Sequence, residues 1–175
     1  MGSVIARRYF TAARSPSPCM ASSSPQLHHS HKLWVLDAAA SENKTSAFAK
    51  RYVAETGSDA VLALCEEAES IGLSILCLPE LTSTLCRLVR ERKLSKAKYG
   101  ELHTLIVTDL ADVDICDITP AVMKHTLIQL QSAPLTTLDA IQLGCAIAYA
   151  PSLFVSADTR QLGAARRAGL TVRAV

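Results

Sequence analysis

Short apolar runs alternate along this chain with longer segments in which apolar residues recur every three or four positions. The short runs predict strands, and the longer segments predict helices. Strands are expected over residues 32–37, 72–78, 113–118, 152–156 and 170–175. Helices are expected over residues 46–55, 57–70, 95–110, 120–131, 136–149 and 161–168, with one more from residue 79. This alternation predicts a three-layer α/β/α sandwich around a central, mostly parallel sheet.

The segment 134–149 gives the clearest helical pattern in the chain. Thr136 or Thr137 can serve as its N-cap, which puts Asp139 in the first turn. Unpaired backbone N–H groups and the positive end of the helix dipole favour a carboxylate there. Acids are common in first turns for this reason alone, so Asp139 indicates a functional site only if other acids lie nearby.

Three further acids, Asp37, Glu80 and Asp158, each follow a predicted strand. The carboxyl ends of parallel strands share one edge of a sheet, so these acids and Asp139 are expected to converge. Clustered carboxylates repel one another unless a cation is present, and ligands that are all oxygen suit Mg²⁺ or Mn²⁺. The alternative is that each acid separately caps a helix or faces solvent.

Residues 1–30 differ in composition from the rest of the chain. They are rich in Ser, Pro, Arg and His and contain no acid, since the first acidic residue is Asp37. This composition predicts a disordered tail, an organelle-targeting segment or an extension that precedes a start at Met20. The folded domain is therefore expected over residues 31–175.

Composition excludes several classes of function. A net charge of +2 does not indicate a polycationic nucleic-acid binder, and no apolar run is long enough to span a membrane. The six cysteines include no Cys-x-x-Cys pair, which favours a reducing compartment and a cytoplasmic location. Glycine-rich phosphate-binding motifs are absent, which argues against a phosphate-handling enzyme of another type.

Four segments taken in order resemble the motifs of PIN-domain proteins, and most of all the VapC toxins of toxin–antitoxin systems. They are residues 45–61, 79–85, 135–143 and 154–162. The resemblance implies a metal-dependent endoribonuclease that hydrolyses RNA phosphodiester bonds. It implies Mg²⁺, with Mn²⁺ as a substitute, and Glu80, Asp139 and Asp158 as metal ligands and catalytic residues. It also implies an antitoxin protein as partner, and PIN domains of this kind often form homodimers.

The first motif departs from the family pattern, in which an acid at the end of a strand directly precedes the first helix. Here Lys44 stands directly before residues 45–47, whereas Asp37 ends the predicted strand. Either Asp37 is the ligand, with about seven residues inserted after it, or the first ligand is absent. A cation at Lys44 would repel Mg²⁺ in the second case. The chain would then be a non-catalytic PIN-like module that binds RNA or protein.

Basic residues concentrate in the segment 87–98, where Glu91 is the one acid. This segment either contacts an RNA backbone or forms a solvated helix end with cations near its C-terminus.

Two residues beside Asp158 also have two interpretations. Ser156 either supports the site through hydrogen bonds or lies in an exposed loop, and Arg160 either contacts phosphate or pairs with an acid.

Overall fold

The computed structural model describes residues 31–35, 47–52 and 56–175, which form a five-stranded parallel sheet flanked by helices. The strands are β1 (Lys32–Val35), β2 (Ser70–Ser74), β3 (Asp114–Cys116), β4 (Leu153–Ser156) and β5 (Val172–Ala174). The helices are α1 (Ser58–Glu67), α2 (Cys77–Arg90), α3 (Lys96–Leu110), α4 (Pro120–Ser132), α5 (Thr137–Tyr149) and α6 (Thr159–Arg167). This architecture confirms the α/β fold class.

The strand order in the sheet is β3-β2-β1-β4-β5, and every neighbouring pair is parallel. The chain builds outward from β1 to β3 and then crosses to the other side of β1 for β4 and β5. Ligands of open parallel sheets bind at such a reversal, outside the carboxyl ends of the strands. The region just beyond the carboxyl ends of β1 and β4 is therefore where this fold favours a site.

Strand residues alternate between two hydrophobic clusters, one on each face of the sheet. Leu33 and Val35 of β1 join the cluster under α2 and α3, whereas Trp34 joins the cluster under α4, α5 and α6. Val155 and Phe154 of β4 divide between the clusters in the same way. Because both faces are covered, the strands read as continuous apolar runs in the sequence.

Three predicted elements differ from the structure. The helix predicted over residues 57–70 ends at Glu67, and β2 begins at Ser70. The apolar run 72–78 is a strand only as far as Ser74, and α2 begins at Cys77. From Cys77 onward the buried residues are spaced as in a helix, because Cys77, Leu81 and Leu85 face the core from successive turns of α2. Glu80 therefore lies in the first turn of α2 and not directly at the end of a strand.

The predicted helix over residues 46–55 is also different where the structure describes it. Among residues 47–52 there is a single 3-10 turn, Ala49–Arg51. Phe48 and Tyr52 beside it are buried in the cluster under α2 and α3. Their burial shows that these two side chains belong to the core.

Helices α4 and α5 pack closely because Gly144 has no side chain. A Cβ placed on Gly144 would lie 2.5 Å from Thr126 Oγ1 and 2.8 Å from the Val122 carbonyl oxygen. The close approach fixes the position of α5, the helix that carries Asp139.

Within the described part of the chain, no helix is long and apolar enough to cross a membrane.

Candidate functional site

The described acids that were predicted as site residues lie at the start of three different helices. Glu80 is in the first turn of α2, Asp139 is in the first turn of α5, and Asp158 is the N-cap of α6. In a parallel sheet, helix N-termini follow the carboxyl ends of the strands, so the three acids share that edge. Asp37 lies outside the described residues, as do Lys44 and the predicted tail 1–30.

Asp139 is almost completely buried, with 4% of its surface exposed. Its Oδ2 accepts a hydrogen bond from Thr136 Oγ1 at 2.7 Å, and its Oδ1 accepts one from Gln161 Nε2 at 2.6 Å. Thr136 Oγ1 also accepts the backbone N–H of Asp139 at 3.2 Å, which makes Thr136 the N-cap of α5. The carboxylate is thus fixed in orientation by two donors from two different helix starts.

Gln161 connects Asp139 to the end of β4 through a chain of hydrogen bonds. Ser156 Oγ donates to Gln161 Oε1 at 2.9 Å and accepts the backbone N–H of Asp158 at 3.0 Å. Both Gln161 and Ser156 are fully buried, so the interpretation of Ser156 as part of an exposed loop is wrong. These hydrogen bonds therefore fix the position of the loop that carries Asp158 relative to the carboxylate of Asp139.

Asp158 is paired with Arg160 and caps α6. Its Oδ1 accepts the backbone N–H of Arg160 at 2.7 Å, and its Oδ2 lies 3.1 Å from Arg160 Nη2. Burial raises the pKa of Asp158, but the hydrogen bonds from the Arg160 side chain and backbone outweigh it and leave the pKa below its ordinary value. The Arg160 side chain is itself 55% exposed, so its guanidinium remains accessible to solvent.

Glu80 is held by a second buried glutamine. Gln142 Nε2 donates a hydrogen bond to Glu80 Oε2, and Gln142 is 1% exposed. Gln142 follows Asp139 by three residues, about one turn along α5. Helix α5 therefore carries one acid of the site and the amide that contacts another.

The two glutamines were not identified from the sequence, although a weak signal exists for each. Gln142 stands between Ile141 and Leu143 in a helix that is otherwise apolar, and Gln161 precedes the buried Leu162. A polar residue at a position expected to be buried needs a partner. The sequence gives no indication of which partner that is.

The donor set is suitable for a hard cation, but its arrangement in the described residues is incomplete. Carboxylate oxygens are the ligands that Mg²⁺ and Mn²⁺ prefer. Across residues 31–35, 47–52 and 56–175, no group of three or more His, Cys, Asp or Glu side chains is placed to hold a metal ion. Glu80 and Asp139 are instead held by the amide groups of Gln142 and Gln161.

The basic segment begins on the same helix as Glu80. Arg87 and Arg90 lie in the last turn of α2, so Arg90 is about 15 Å from Glu80 along the helix axis. Farther along, Lys93 pairs with Glu91 at 2.7 Å and Lys98 pairs with Glu101 at 2.9 Å. Cations near a helix C-terminus are favoured by the dipole, so the segment has a structural role as well as a positive surface.

A shallow pocket of about 90 Å³ lies at the opposite edge of the sheet, where β1 and β4 begin. Leu33, Ser152 and Leu153 line it together with Glu67 at the end of α1. None of the three described site acids lines this pocket. The candidate site is therefore the carboxyl edge of the sheet and is distinct from the pocket.

Neither the known protein families nor the curated proteins include a match to this chain. Among solved structures, one similar protein is VapBC2 from Rickettsia felis, crystallised bound to a DNA fragment from its promoter. The match has 15% sequence identity and a TM-score of 0.49, and it covers 69% of this chain and 86% of that chain. The parallel strand order defines the α/β fold class independently of this likeness.

Proposed function

We propose that the carboxyl edge of the sheet is the active site of a PIN-like endoribonuclease that hydrolyses RNA phosphodiester bonds. The observation that supports this proposal best is the buried Asp139, which is fixed by Thr136 and Gln161 at the N-terminus of α5. A buried carboxylate that is held by two side-chain donors has a defined orientation, which is what a catalytic or metal-binding acid requires. The order of the motifs in the sequence supports the choice of RNA as substrate.

Mg²⁺, or Mn²⁺ in its place, is the proposed cofactor, and Glu80, Asp139 and Asp158 are the proposed ligands, with Asp37 as the fourth. The metal would neutralise the negative charge that develops on the phosphoryl oxygens. Thr136 and Gln161 orient the Asp139 carboxylate, and Ser156 sets the position of the loop that carries Asp158. The exposed guanidinium of Arg160 is available to bind a substrate phosphate beside this loop.

The substrate backbone is proposed to extend from the acids towards the basic segment at the end of α2. Arg87 lies on the same side of α2 as Glu80, since seven residues make about two helical turns. Lys or Arg contacts to phosphates release counter-ions, so the affinity for RNA should fall as the salt concentration rises. Replacing both Arg87 and Arg90 by Gln should therefore weaken RNA binding and reduce its salt dependence.

In the cell, this protein is proposed to be the toxin of a toxin–antitoxin pair in the cytoplasm. An antitoxin protein that covers the acidic edge would restrain the nuclease until it is removed. A homodimer is the proposed assembly of the toxin. These proposals rest on the motif resemblance. Copurification with a coexpressed partner would test the antitoxin, and the molecular mass of the protein in solution would test the homodimer.

The second candidate function is a PIN-like module that binds RNA or protein without cleaving it. Its specific support is that amide or guanidinium groups already hold the three described acids. Gln142 contacts Glu80, Gln161 contacts Asp139 and Arg160 pairs with Asp158. A carboxylate that is satisfied in this way does not require a cation for stability. The possible loss of the first ligand, with Lys44 in its place, points in the same direction.

Cleavage of mixed tRNA and rRNA distinguishes the two functions. The wild type should cut in Mg²⁺ or Mn²⁺ and stop when EDTA is added, and Asp139→Asn should lower the rate by at least about 100-fold. Asp112→Asn is the matched control, because Asp112 is exposed beyond α3 and should keep full activity. Titration of Mn²⁺ by calorimetry should show weaker binding only for Asp139→Asn.

The opposite result would establish the binding module. RNA that is retained on the protein but not cut at any metal concentration, with equal Mn²⁺ binding for wild type and Asp139→Asn, would exclude the nuclease. If Asp37→Asn also left metal binding unchanged, Asp37 would be excluded as the first ligand.

A further inference from the structure

Two cysteines lie next to each other where α5 packs against the sheet. Neither has a part in the proposed site. Cys116 ends the edge strand β3, and Cys145 lies on the buried side of α5. The Cys116 Sγ is 3.7 Å from the carbonyl oxygen of Cys145, and the Cys145 Sγ is 4.0 Å from the carbonyl oxygen of Cys116. Each thiol therefore lies against the backbone of the other residue, and both are free.

The two thiols differ in their access to solvent. Cys145 is fully buried, whereas Cys116 is partly exposed at the sheet edge. Burial raises the pKa of the Cys116 thiol, a hydrogen bond with the Cys145 thiol lowers it and the charge of Asp117 raises it, so the pKa stays above its ordinary value. Burial raises the pKa of Cys145 to about 12. Cys116 is thus the thiol that an oxidant reaches and the one that ionises more readily.

We propose that Cys116 and Cys145 are a redox modification site, at which a peroxide converts the two thiols into a reversible disulfide between β3 and α5. The contact of each thiol with the backbone carbonyl of the other cysteine carries this inference. It does not depend on the nuclease activity proposed above. Cys86 on α2 offers a comparison, because its thiol interacts with the hydroxyl of Tyr99 on α3.

The reaction proceeds in two balanced steps. The Cys116 thiolate attacks one oxygen of hydrogen peroxide, so an S–O bond forms, the O–O bond breaks and, with one proton, water leaves. Cys145 then loses its proton and attacks the sulfenic sulfur of Cys116, which forms the S–S bond and releases a second water. Two thiols are oxidised by two electrons in total, and one peroxide is reduced to two waters. A dithiol reductant reverses the change.

The disulfide would act on the helix that carries the proposed site. The Cys145 thiol donates to Ser74 Oγ at 3.7 Å, and Ser74 Oγ accepts the backbone N–H of Leu76 at 3.2 Å, directly before α2. Oxidation removes this thiol donor and ties α5 to the edge strand. The bond also closes a loop between positions 116 and 145, which should raise Tm by roughly 5 °C or more.

Mass spectrometry of the full-length protein under non-reducing conditions tests the proposal. Trypsin places each cysteine in a separate peptide, residues 99–124 and residues 125–160, and each peptide contains one cysteine. After reduction, buffer exchange and treatment with hydrogen peroxide, these two peptides should appear as one cross-linked species that dithiothreitol separates. Formation should be faster at about pH 8.5 than at about pH 6.5, because the thiolate is the nucleophile.

Three variants complete the test. Cys145→Ser should leave a sulfenic acid at Cys116 that dimedone traps, Cys116→Ser should give no cross-link, and Cys86→Ser should behave as the wild type. Peroxide should raise the Tm of the wild type and of Cys86→Ser only. The proposal is overturned if peptides 99–124 and 125–160 remain separate while Cys116 is oxidised, or if Cys116 links to another cysteine.

Discussion

Gln161 Nε2 donates a hydrogen bond of 2.6 Å to Oδ1 of Asp139, and both side chains are buried. The contact joins the first turn of α5 to the first turn of α6, although the two residues are 22 positions apart in the chain. Because Gln161 Oε1 also accepts from Ser156, one amide satisfies two buried polar groups at once. The geometry of Asp139 therefore depends on Gln161 as much as on the helix that contains it.

Replacing Gln161 by Leu should destabilise the fold by about 1 to 3 kcal/mol, because Ser156 and one oxygen of Asp139 lose their buried partner. Urea unfolding followed by circular dichroism measures this change. Gln131→Leu on the exposed side of α4 is the matched control and should stay within about 0.5 kcal/mol of the wild type. Equal stability of both variants would show that the Gln161 contact contributes nothing.

Asp158 should stabilise the fold in a pH-dependent manner. Its pKa is lowered in the folded state, so the stabilisation is present above the unfolded value of about 3.9 and is lost as the pH falls through the folded pKa. Asp158→Asn keeps an N-cap but removes the charge. The difference in free energy of unfolding between wild type and Asp158→Asn should therefore be measurable at neutral pH and vanish at strongly acidic pH.

A companion variant separates the cap from the charge. Asp158→Ala should cost about 1 kcal/mol even where the charge no longer matters, because the backbone N–H of Arg160 loses its acceptor. A pH-independent difference for Asp158→Asn would contradict the role of the charge. Urea unfolding across the acidic range measures both variants.

Gly144→Ala should destabilise the protein by about 1 to 3 kcal/mol, because the added Cβ would lie 2.5 Å from Thr126 Oγ1. The matched control is Gly100→Ala in α3, where the new Cβ meets no atom within 4 Å. That substitution should stabilise the helix by about 0.5 to 1 kcal/mol, since alanine is the better helix former. Thermal unfolding of the two variants should shift in opposite directions, and an unchanged or raised Tm for Gly144→Ala would argue against the close packing of α4 and α5.

Asp109→Ala should be among the more damaging single substitutions, at about 3 kcal/mol. Asp109 Oδ2 lies 3.5 Å from Arg51 Nη2 and accepts the hydroxyl of Tyr52 at 3.0 Å, so it links the 3-10 turn to α3. Its removal would leave the Arg51 guanidinium buried without its Asp109 counter-ion. The exposed Asp112→Ala is the control and should have little effect in chemical denaturation.

Much of the local structure was predictable from the sequence because it depends on short-range patterns. The apolar runs that became β1 and β4, the Thr136 cap and the first-turn position of Asp139 all follow from periodicity and capping chemistry. The end of β2 was predicted wrongly, since the apolar residues 76–78 fit a strand and the first turn of α2 equally well. Local pattern alone does not separate a short strand from a buried helix start.

The contacts within the candidate site were decided by the tertiary structure. Gln142 and Glu80 are 62 positions apart, and no local feature of either residue indicates the other. They meet because the sheet order and the packing of Gly144 against α4 bring the starts of α2 and α5 to one edge. The sequence by itself determined most of the elements and the first-turn position of Asp139. The glutamine contacts and the facing thiols exist only once the elements are packed, because side-chain partners depend on distances that the order of residues along the chain does not specify.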